Sequence, residues 1–269
     1  MATDTPAGEP VERGEGADGF PHGSKYPLFV GAGLFFVGLG FAWTPLFLIL
    51  GVPIEIYGLW GWTKEYAIEE FERGVVPEQK RQLLGVETGL IGMYILIFSE
   101  ILVFAGFFVA WFYLDATRGP FPLEGYPGLT VELGAAMAGL MLLGSLATRY
   151  GRVAITNDDR SGLVRGYLAT VVLGLGFLGV LAYEWQALLA EGLSWTTGAY
   201  GAAYYSLAGL HAAHLVAGLV MFAIVLYRAG RRGHFSAERN LMVRTTEAYW
   251  HFLTAISLAI LIFVYVGSG

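Results

Sequence analysis

Apolar stretches long enough to cross a bilayer alternate with short polar stretches along most of this chain. The clearest of them, GLIGMYILIFSEILVFAGFFVAWFYL at residues 89–114, contains one acidic side chain and no basic one. About 20 apolar residues cross the hydrocarbon core, and such a run must be helical because its backbone groups find no other partners in lipid. Seven membrane helices are predicted, at residues 27–42, 45–62, 89–114, 129–147, 163–190, 199–227 and 243–266.

The first two segments are short and meet at Trp43-Thr44-Pro45. Proline disfavours a helical conformation in the residue before it, so this site suits a tight reversal of the chain. The alternative, one kinked helix over both segments, would be roughly 54 Å long, much more than a bilayer requires. We therefore predict a two-helix hairpin at residues 26–62, a cytoplasmic linker at 63–86 and a separate five-helix bundle at 87–269.

Composition agrees with an integral membrane protein. Of the 269 residues, 55% are hydrophobic and 14% are charged, and the mean hydropathy is +0.57. The chain has no cysteine, which excludes disulfides and thiolate metal sites. No phosphate-binding loop or nucleophile motif of a soluble enzyme is found. Residues 1–25 are acidic and rich in Gly and Pro, and we predict a disordered cytoplasmic tail.

Basic residues divide unequally between the two sides of this helix arrangement. If the N-terminus is cytoplasmic, fifteen of the sixteen Lys and Arg residues lie on the inner side and only Arg118 lies outside. Cytoplasmic segments of membrane proteins carry such an excess of positive charge. We therefore predict an all-α, seven-span protein with its N-terminus inside and its C-terminus outside.

Glu100 is the acidic residue in the 89–114 segment. It lies roughly 17 Å from Gly89 along a helix, close to the middle of a bilayer about 30 Å thick. Because a charge at this depth costs about 2.5–3.5 kcal/mol, Glu100 is expected to face protein, water or a lipid headgroup, or to stay protonated. An intramembrane acid is by default a functional candidate, with helix packing as the structural alternative.

Three histidines lie in the apolar segments. His211 and His214, in GLHAAHLVAG, share one helix face, and Glu247 and His251, in EAYWHFL, can share a proton or a hydrogen bond. Two haems b would need four axial histidines. A single haem held by His214 and His251, or a copper or zinc site of His211, His214 and Glu100, remains an alternative to our prediction of no metal.

Further candidates lie near the predicted ends of the helices. Glu184 and Trp185 are predicted at the outer interface, where tryptophan is a common anchor and an acid is solvated. Four residues near the inner ends of the last two segments are expected to contact phospholipid headgroups. Basic side chains at this level meet lipid phosphate. These four are Arg228, Arg232, Tyr249 and Trp250.

Four stretches of this sequence carry a resemblance to a known family. Together they resemble helices three, five, six and seven of subunit III of the haem–copper oxidases, the cytochrome c and quinol oxidase group. The predicted helix count is similar to the form of that subunit with two additional N-terminal helices. One departure is Thr254, where the family often has an acid. The stretches are IFSEILVFAGFF (Ile97–Phe108), GFLGVLAYEW (Gly176–Trp185), YYSLAGLHAAHLVAG (Tyr204–Gly218) and EAYWHFL (Glu247–Leu253).

The resemblance implies a non-catalytic subunit of a terminal oxidase in aerobic respiration, in a cell membrane. In this family subunit I holds the haems and copper, and subunit II accepts electrons. Subunit III packs against subunit I, holds structural phospholipid between helices one–two and three–seven, and supports proton uptake. Subunits I and II and phospholipid are thus the implied partners, with no nucleic acid. The implied buried polar network consists of Glu100, His211, His214, Glu247 and His251.

Two other functions remain open from the sequence. An accessory protein of nitric oxide reduction would resemble the same helices three to seven, although the N-terminal hairpin argues against it. A proton-coupled transporter with Glu100 as carrier is less well supported, because the chain has no inverted repeat or pair of broken half-helices.

Overall fold

A computed structural model describes residues 24–44, 46–65, 86–231 and 234–267. The predicted tail, most of the predicted linker and Arg232 lie outside the described residues. In the described ranges α7 continues as a π-helical segment, Leu261–Val266. The seven α-helices found there are α1 Tyr26–Ala42, α2 Leu46–Lys64, α3 Thr88–Arg118, α4 Val131–Thr156, α5 Arg160–Ala190, α6 Gly198–Ala229 and α7 Leu241–Ile260.

The all-helical, multi-span architecture predicted from the sequence is confirmed. Six of the described helices are long and apolar enough to cross a membrane, and α1 is a shorter apolar helix. Several helices extend beyond the predicted apolar segments, most clearly α4, which continues to Thr156 rather than ending near 147. Hydropathy detects only the part of a helix that matches the hydrocarbon core, whereas backbone hydrogen bonding continues into the polar region.

The break between the first two segments is also as predicted, since α1 ends at Ala42 and α2 begins at Leu46. These two helices belong to one compact unit and α3–α7 to another. Within the first unit, glycines on each helix face the backbone of the other. In each facing pair, a higher residue number on α1 goes with an equally lower residue number on α2, which is the register of an antiparallel hairpin. The facing pairs are Gly33 with Glu55, Gly40 with Leu48, Val37 with Gly51 and Val30 with Gly58.

This hairpin is expected to be sensitive to a single methyl group at Gly58. A Cβ there would lie 2.7 Å from the backbone nitrogen of Val30, whereas a Cβ at Gly38 would meet nothing within 4 Å. We expect Gly58→Ala to lower the free energy of unfolding by about 1–3 kcal/mol through overpacking. Gly38→Ala, the matched control, should be neutral or stabilising by up to about 1 kcal/mol, because alanine favours helix. Thermal midpoints of the detergent-purified protein test this, and equal midpoints for the two variants would contradict the register.

In the second unit, α4 and α5 are in backbone contact. A Cβ at Gly166 would lie 2.7 Å from the backbone nitrogen of Gly151, so the two helices approach as closely as glycine allows. Beside this contact the hydroxyls of Thr148 and Thr170 are 2.9 Å apart in the buried core. Close approach at small residues, with a hydroxyl hydrogen bond across it, is a typical means of joining helices in a membrane.

The centre of the second unit is built around Trp250 of α7. Its indole is fully buried and packs edge-to-face on Phe222 of α6, with ring centroids 5.1 Å apart. Gly144 of α4 and Gly174 of α5 leave room for it, because a Cβ at either position would come within 3.0 Å of the indole. One aromatic side chain therefore fixes the spacing of four helices.

Candidate functional site

Glu100 of α3 lies against His214 of α6. Its Oε2 is 3.0 Å from Nε2 of the imidazole, and the other ring nitrogen, Nδ1, is 2.8 Å from the backbone carbonyl of Leu210. Side-chain exposure is 26% for Glu100 and 17% for His214, so the pair is only partly covered. The rings of Phe104 and Tyr249 limit its freedom. Phe104 packs on His214 with centroids 5.1 Å apart, and the Tyr249 hydroxyl donates to the carbonyl of His214.

The protons of this pair can be counted from its geometry. A carbonyl oxygen only accepts, so Nδ1 of His214 carries a hydrogen and donates it to Leu210. The contact between Nε2 and Glu100 then needs one further hydrogen, which belongs either to the carboxyl or to the imidazole. In both cases the pair has no net charge. It therefore avoids most of the cost of placing an isolated charge in lipid.

The second acidic residue of the predicted network, Glu247, lies near the start of α7. Its carboxylate is 3.4 Å from Nη1 of Arg149 and 2.7 Å from Nε of Arg152, both on α4. Arg152 and Glu247 form an ion pair but not a hydrogen bond, because the Nε–H of Arg152 is not directed at the carboxylate. His251, one turn along α7, is 3.6 Å away from the carboxylate. Glu247 thus joins α4 to α7 through charge.

Sequence reasoning missed a second carboxylate at this end of the unit. Glu87, which immediately precedes α3, accepts a hydrogen bond of 2.8 Å from Nη1 of Arg244. Glu87 is only 8% exposed, and Arg244 lies one helical turn before Glu247 on α7. The sequence did contain a signal for this residue, because Glu87 is an acid that directly precedes the first residue of α3, Thr88. The two carboxylates connect α7 to both α3 and α4.

The predicted network therefore divides into separate parts. Glu100 contacts His214, and Glu247 contacts His251, but no hydrogen bond or ion pair between described residues joins the two pairs. His251 is 44% exposed and places Nδ1 3.1 Å from the hydroxyl of Ser145. That hydroxyl also contacts Thr254, at 2.8 Å, so this departure from the family pattern keeps a polar contact between α4 and α7.

His211, the remaining member of the predicted network, stands apart from both pairs. It is 2% exposed, and neither ring nitrogen has a hydrogen-bond partner among the described residues. Its ring lies edge-on to Phe177, with centroids 5.4 Å apart. The alternative of a metal site formed by His211, His214 and Glu100 is not supported, since no group of three or more potential ligands with metal-binding geometry occurs in the described ranges.

Glu184, predicted at the outer interface, is 2% exposed within the bundle. Its Oε2 accepts hydrogen bonds from Tyr204 of α6, at 2.8 Å, and from Tyr265 of the π-helical segment, at 2.6 Å. The two tyrosine hydroxyls are 3.2 Å apart. This acid–tyrosine cluster links α5, α6 and the end of α7, and Trp185 beside it packs on Tyr205.

The residues predicted at lipid headgroups are placed differently from one another. Tyr249 is 5% exposed and Trp250 is fully buried, so neither presents its ring to the surface of the described unit. Arg228, at the end of α6, is half-buried. Its Nη1 lies 3.1 Å from the sulfur of Met242 and its guanidinium lies over the ring of Phe235, at 5.0 Å. Nε of Arg228 is buried without a hydrogen-bond partner among the described residues.

Glu55 of α2 is a further intramembrane acid that the sequence reasoning did not single out. Its Oε2 is buried against Gly33 of α1 and has no hydrogen-bond partner in the part of the chain that the structure describes. The signal was available, because Glu55 stands in an apolar segment as Glu100 does.

These features define the class of protein: a polytopic α-helical membrane protein in which several acids pair with histidines or arginines of neighbouring helices. Residues 44–268 match the sequence model of the family described as cytochrome c oxidase subunit III. Because this match covers most of the chain, the chain belongs to the cytochrome c oxidase subunit III family. It is accordingly a multi-pass plasma-membrane protein.

Individual relatives show the extent of the similarity. The chain is 31% identical over 179 residues to cytochrome c oxidase subunit 3 of Thermostichus vulcanus, which covers 66% of this chain and 86% of the relative. It is 30% identical over 191 residues to the subunit 3 of Bacillus sp. strain PS3, covering 71% and 90%. It is 29% identical over 181 residues to the probable subunit 3 of Mycobacterium tuberculosis strain H37Rv, covering 65% and 86%.

Proposed function

We propose that this chain is the non-catalytic subunit III of a haem–copper terminal oxidase. It assembles with subunit I, which carries the haems and copper, and with subunit II, and it supports proton uptake during oxygen reduction by keeping subunit I in its active form. The observation that carries the proposal is the family match over residues 44–268. The contacts of Glu100, Glu184 and Glu247 support it, because each of these acids joins helices of the second unit to one another.

In this proposal the contact between Glu100 and His214 is a structural anchor. It joins α3 to α6 at mid-membrane depth, with one shared hydrogen and no net charge. α3 otherwise presents mostly apolar side chains to its surroundings. In its apolar stretch, only 11% of the residues are buried within the unit. A polar contact at this position therefore contributes to holding α3 in place against the lipid.

Arg228 is the described residue that best fits a phospholipid headgroup. A guanidinium has five donors, and its described contacts are a thioether sulfur and an aromatic ring, neither of which neutralises its charge. A phosphate oxygen would supply both the negative charge and the missing acceptors. In the proposed orientation the end of α6 is on the cytoplasmic side, where the leaflet is anionic, and this supports the assignment.

The orientation itself is a prediction from charge. In this cysteine-free chain, Asn157→Cys and Ser268→Cys can be labelled separately with a membrane-impermeant thiol reagent on intact cells. We expect position 268 to be labelled and position 157 to be protected until the membrane is opened. Each variant serves as the control for expression of the other, and the reverse pattern would exclude an internal N-terminus with seven spans.

Co-purification tests the proposed function directly. A tag on this chain should recover two further subunits, of which one contains haem and copper, when membranes are solubilised in mild detergent. After gentle removal of those subunits, the folded chain should carry no stoichiometric haem or copper. Recovery of the chain with a nitric oxide reductase, or as a homo-oligomer that transports protons, would refute the proposal.

A further inference from the structure

A small cavity lies inside the α3–α7 unit beside His211. Its volume is about 20 Å³, which is enough for one water molecule. Most of its wall is apolar, and the polar groups on it come from α6 and α7. Residues that define it include Met137, Phe177, Leu181, His211, Ser257 and Tyr265.

His211 is the most polar group on this wall and the least satisfied. A neutral imidazole has one N–H donor and one acceptor nitrogen. Both nitrogens of His211 are buried, and neither meets a hydrogen-bond partner anywhere in the described ranges. Phe104 and Phe177 flank the ring, with centroids 6.3 and 5.4 Å away, and offer no lone pair or strong donor in their place. Burying such a ring without partners is costly, and a polar molecule in the cavity removes that cost.

Another part of the cavity wall coincides with a change in helix geometry. Leu261 and Tyr265 both line it, and both belong to the π-helical segment that follows α7. Ser257, one turn before this segment, adds a hydroxyl that can both donate and accept. π-helical turns are frequently found at functional sites. The cavity thus combines an unpaired imidazole, a hydroxyl and a widened helical turn.

We propose that this cavity binds a single structural water molecule, hydrogen-bonded to a ring nitrogen of His211 and to the hydroxyl of Ser257. Water suits the site because it is small enough and supplies two donors and two acceptors. The bound water joins α6 to α7 just before the π-helical segment. It therefore holds Tyr265, whose hydroxyl donates to Glu184, in register with Tyr204. The proposal concerns this chain alone and does not depend on the oxidase assignment.

The direct test is a density map of the detergent-purified protein, with its bound partners, at a resolution that shows ordered water. We expect a peak roughly 2.6–3.2 Å from one ring nitrogen of His211 and from the Ser257 hydroxyl. A cavity without density, or a His211 ring turned to bond a protein group directly, would overturn the proposal. Pressurised xenon should not enter the wild-type cavity, and xenon bound there would show that it is dry and apolar.

Two variants add an independent measurement. Ser257→Ala removes one partner of the water and is expected to lower the thermal midpoint and weaken the peak. Ser99→Ala is the matched control, because its exposed hydroxyl bonds only to the carbonyl of Leu96 in its own helix. His211→Leu is expected to abolish the peak and allow xenon to bind. If Ser257→Ala leaves both the peak and the midpoint unchanged, the site is refuted, even where His211→Leu does not assemble.

Discussion

Glu247→Ala is expected to destabilise the five-helix unit by about 2–3 kcal/mol, because it removes the carboxylate shared by two arginines and a histidine. The Glu247 side chain is 10% exposed, while those of Arg152 and Arg149 are 22% and 56% exposed. Solvent near the arginines reduces the effect below that of a fully buried ion pair. The loss is measured as a lower thermal midpoint of the purified protein and as weaker retention of its partners.

A double-mutant cycle separates the ion pair from general loss of packing. Glu247→Ala, Arg152→Ala and the double variant should give a coupling energy of about 0.5–3 kcal/mol, since the two groups are in direct contact. Glu124→Ala is the matched control, because it truncates an exposed loop carboxylate. A coupling energy near zero, or an equal effect of Glu124→Ala, would show that the charge contact between α4 and α7 contributes nothing.

The sequence was most informative about position along each helix. Apolar length predicted the seven helices, and the Thr-Pro step predicted the break between α1 and α2. Glu100 and His214 were both expected in one buried polar network, and the structure places them 3.0 Å apart. Helix periodicity likewise suggested the contact between Glu247 and His251.

What the sequence could not provide was the direction in which each helix faces. Depth does not distinguish a side chain at the interface from one inside the bundle, so Glu184 was expected beside Trp185 at the outer surface. It lies instead between two tyrosines that are 20 and 81 residues away in the chain. For the same reason, His211 was expected in the buried polar network, whereas neither of its ring nitrogens has a hydrogen-bond partner among the described residues. Which neighbour a helix face meets depends on packing, such as the close contact at Gly151 and Gly166, and not on periodicity.

Glu100→Gln and Glu100→Ala are expected to differ strongly in the assembled oxidase. Glutamine keeps the size of the side chain, and its amide can donate to Nε2 of His214, whose Nδ1–H remains engaged with Leu210. Alanine removes the hydrogen-bond partner of Nε2 of His214 and opens a void between α3 and α6. We therefore expect Gln to retain near wild-type oxygen consumption and active lifetime, and Ala to shorten the active lifetime several-fold.

Ile101→Ala is the control for this pair of variants. It truncates a neighbouring α3 side chain that is 45% exposed, at the same depth, without touching the contact with His214.

Oxygen consumption during sustained turnover distinguishes the two roles that Glu100 can have. An obligatory proton carrier requires an exchangeable carboxyl, so Gln and Ala would slow the initial rate equally. An anchor requires only the hydrogen bond, so Gln would resemble the wild type and the Ile101→Ala control. A large initial-rate defect in Glu100→Gln, in a complex of unchanged composition, would show that the carboxyl itself carries protons. The neutral pair, with its single shared hydrogen, favours the anchor.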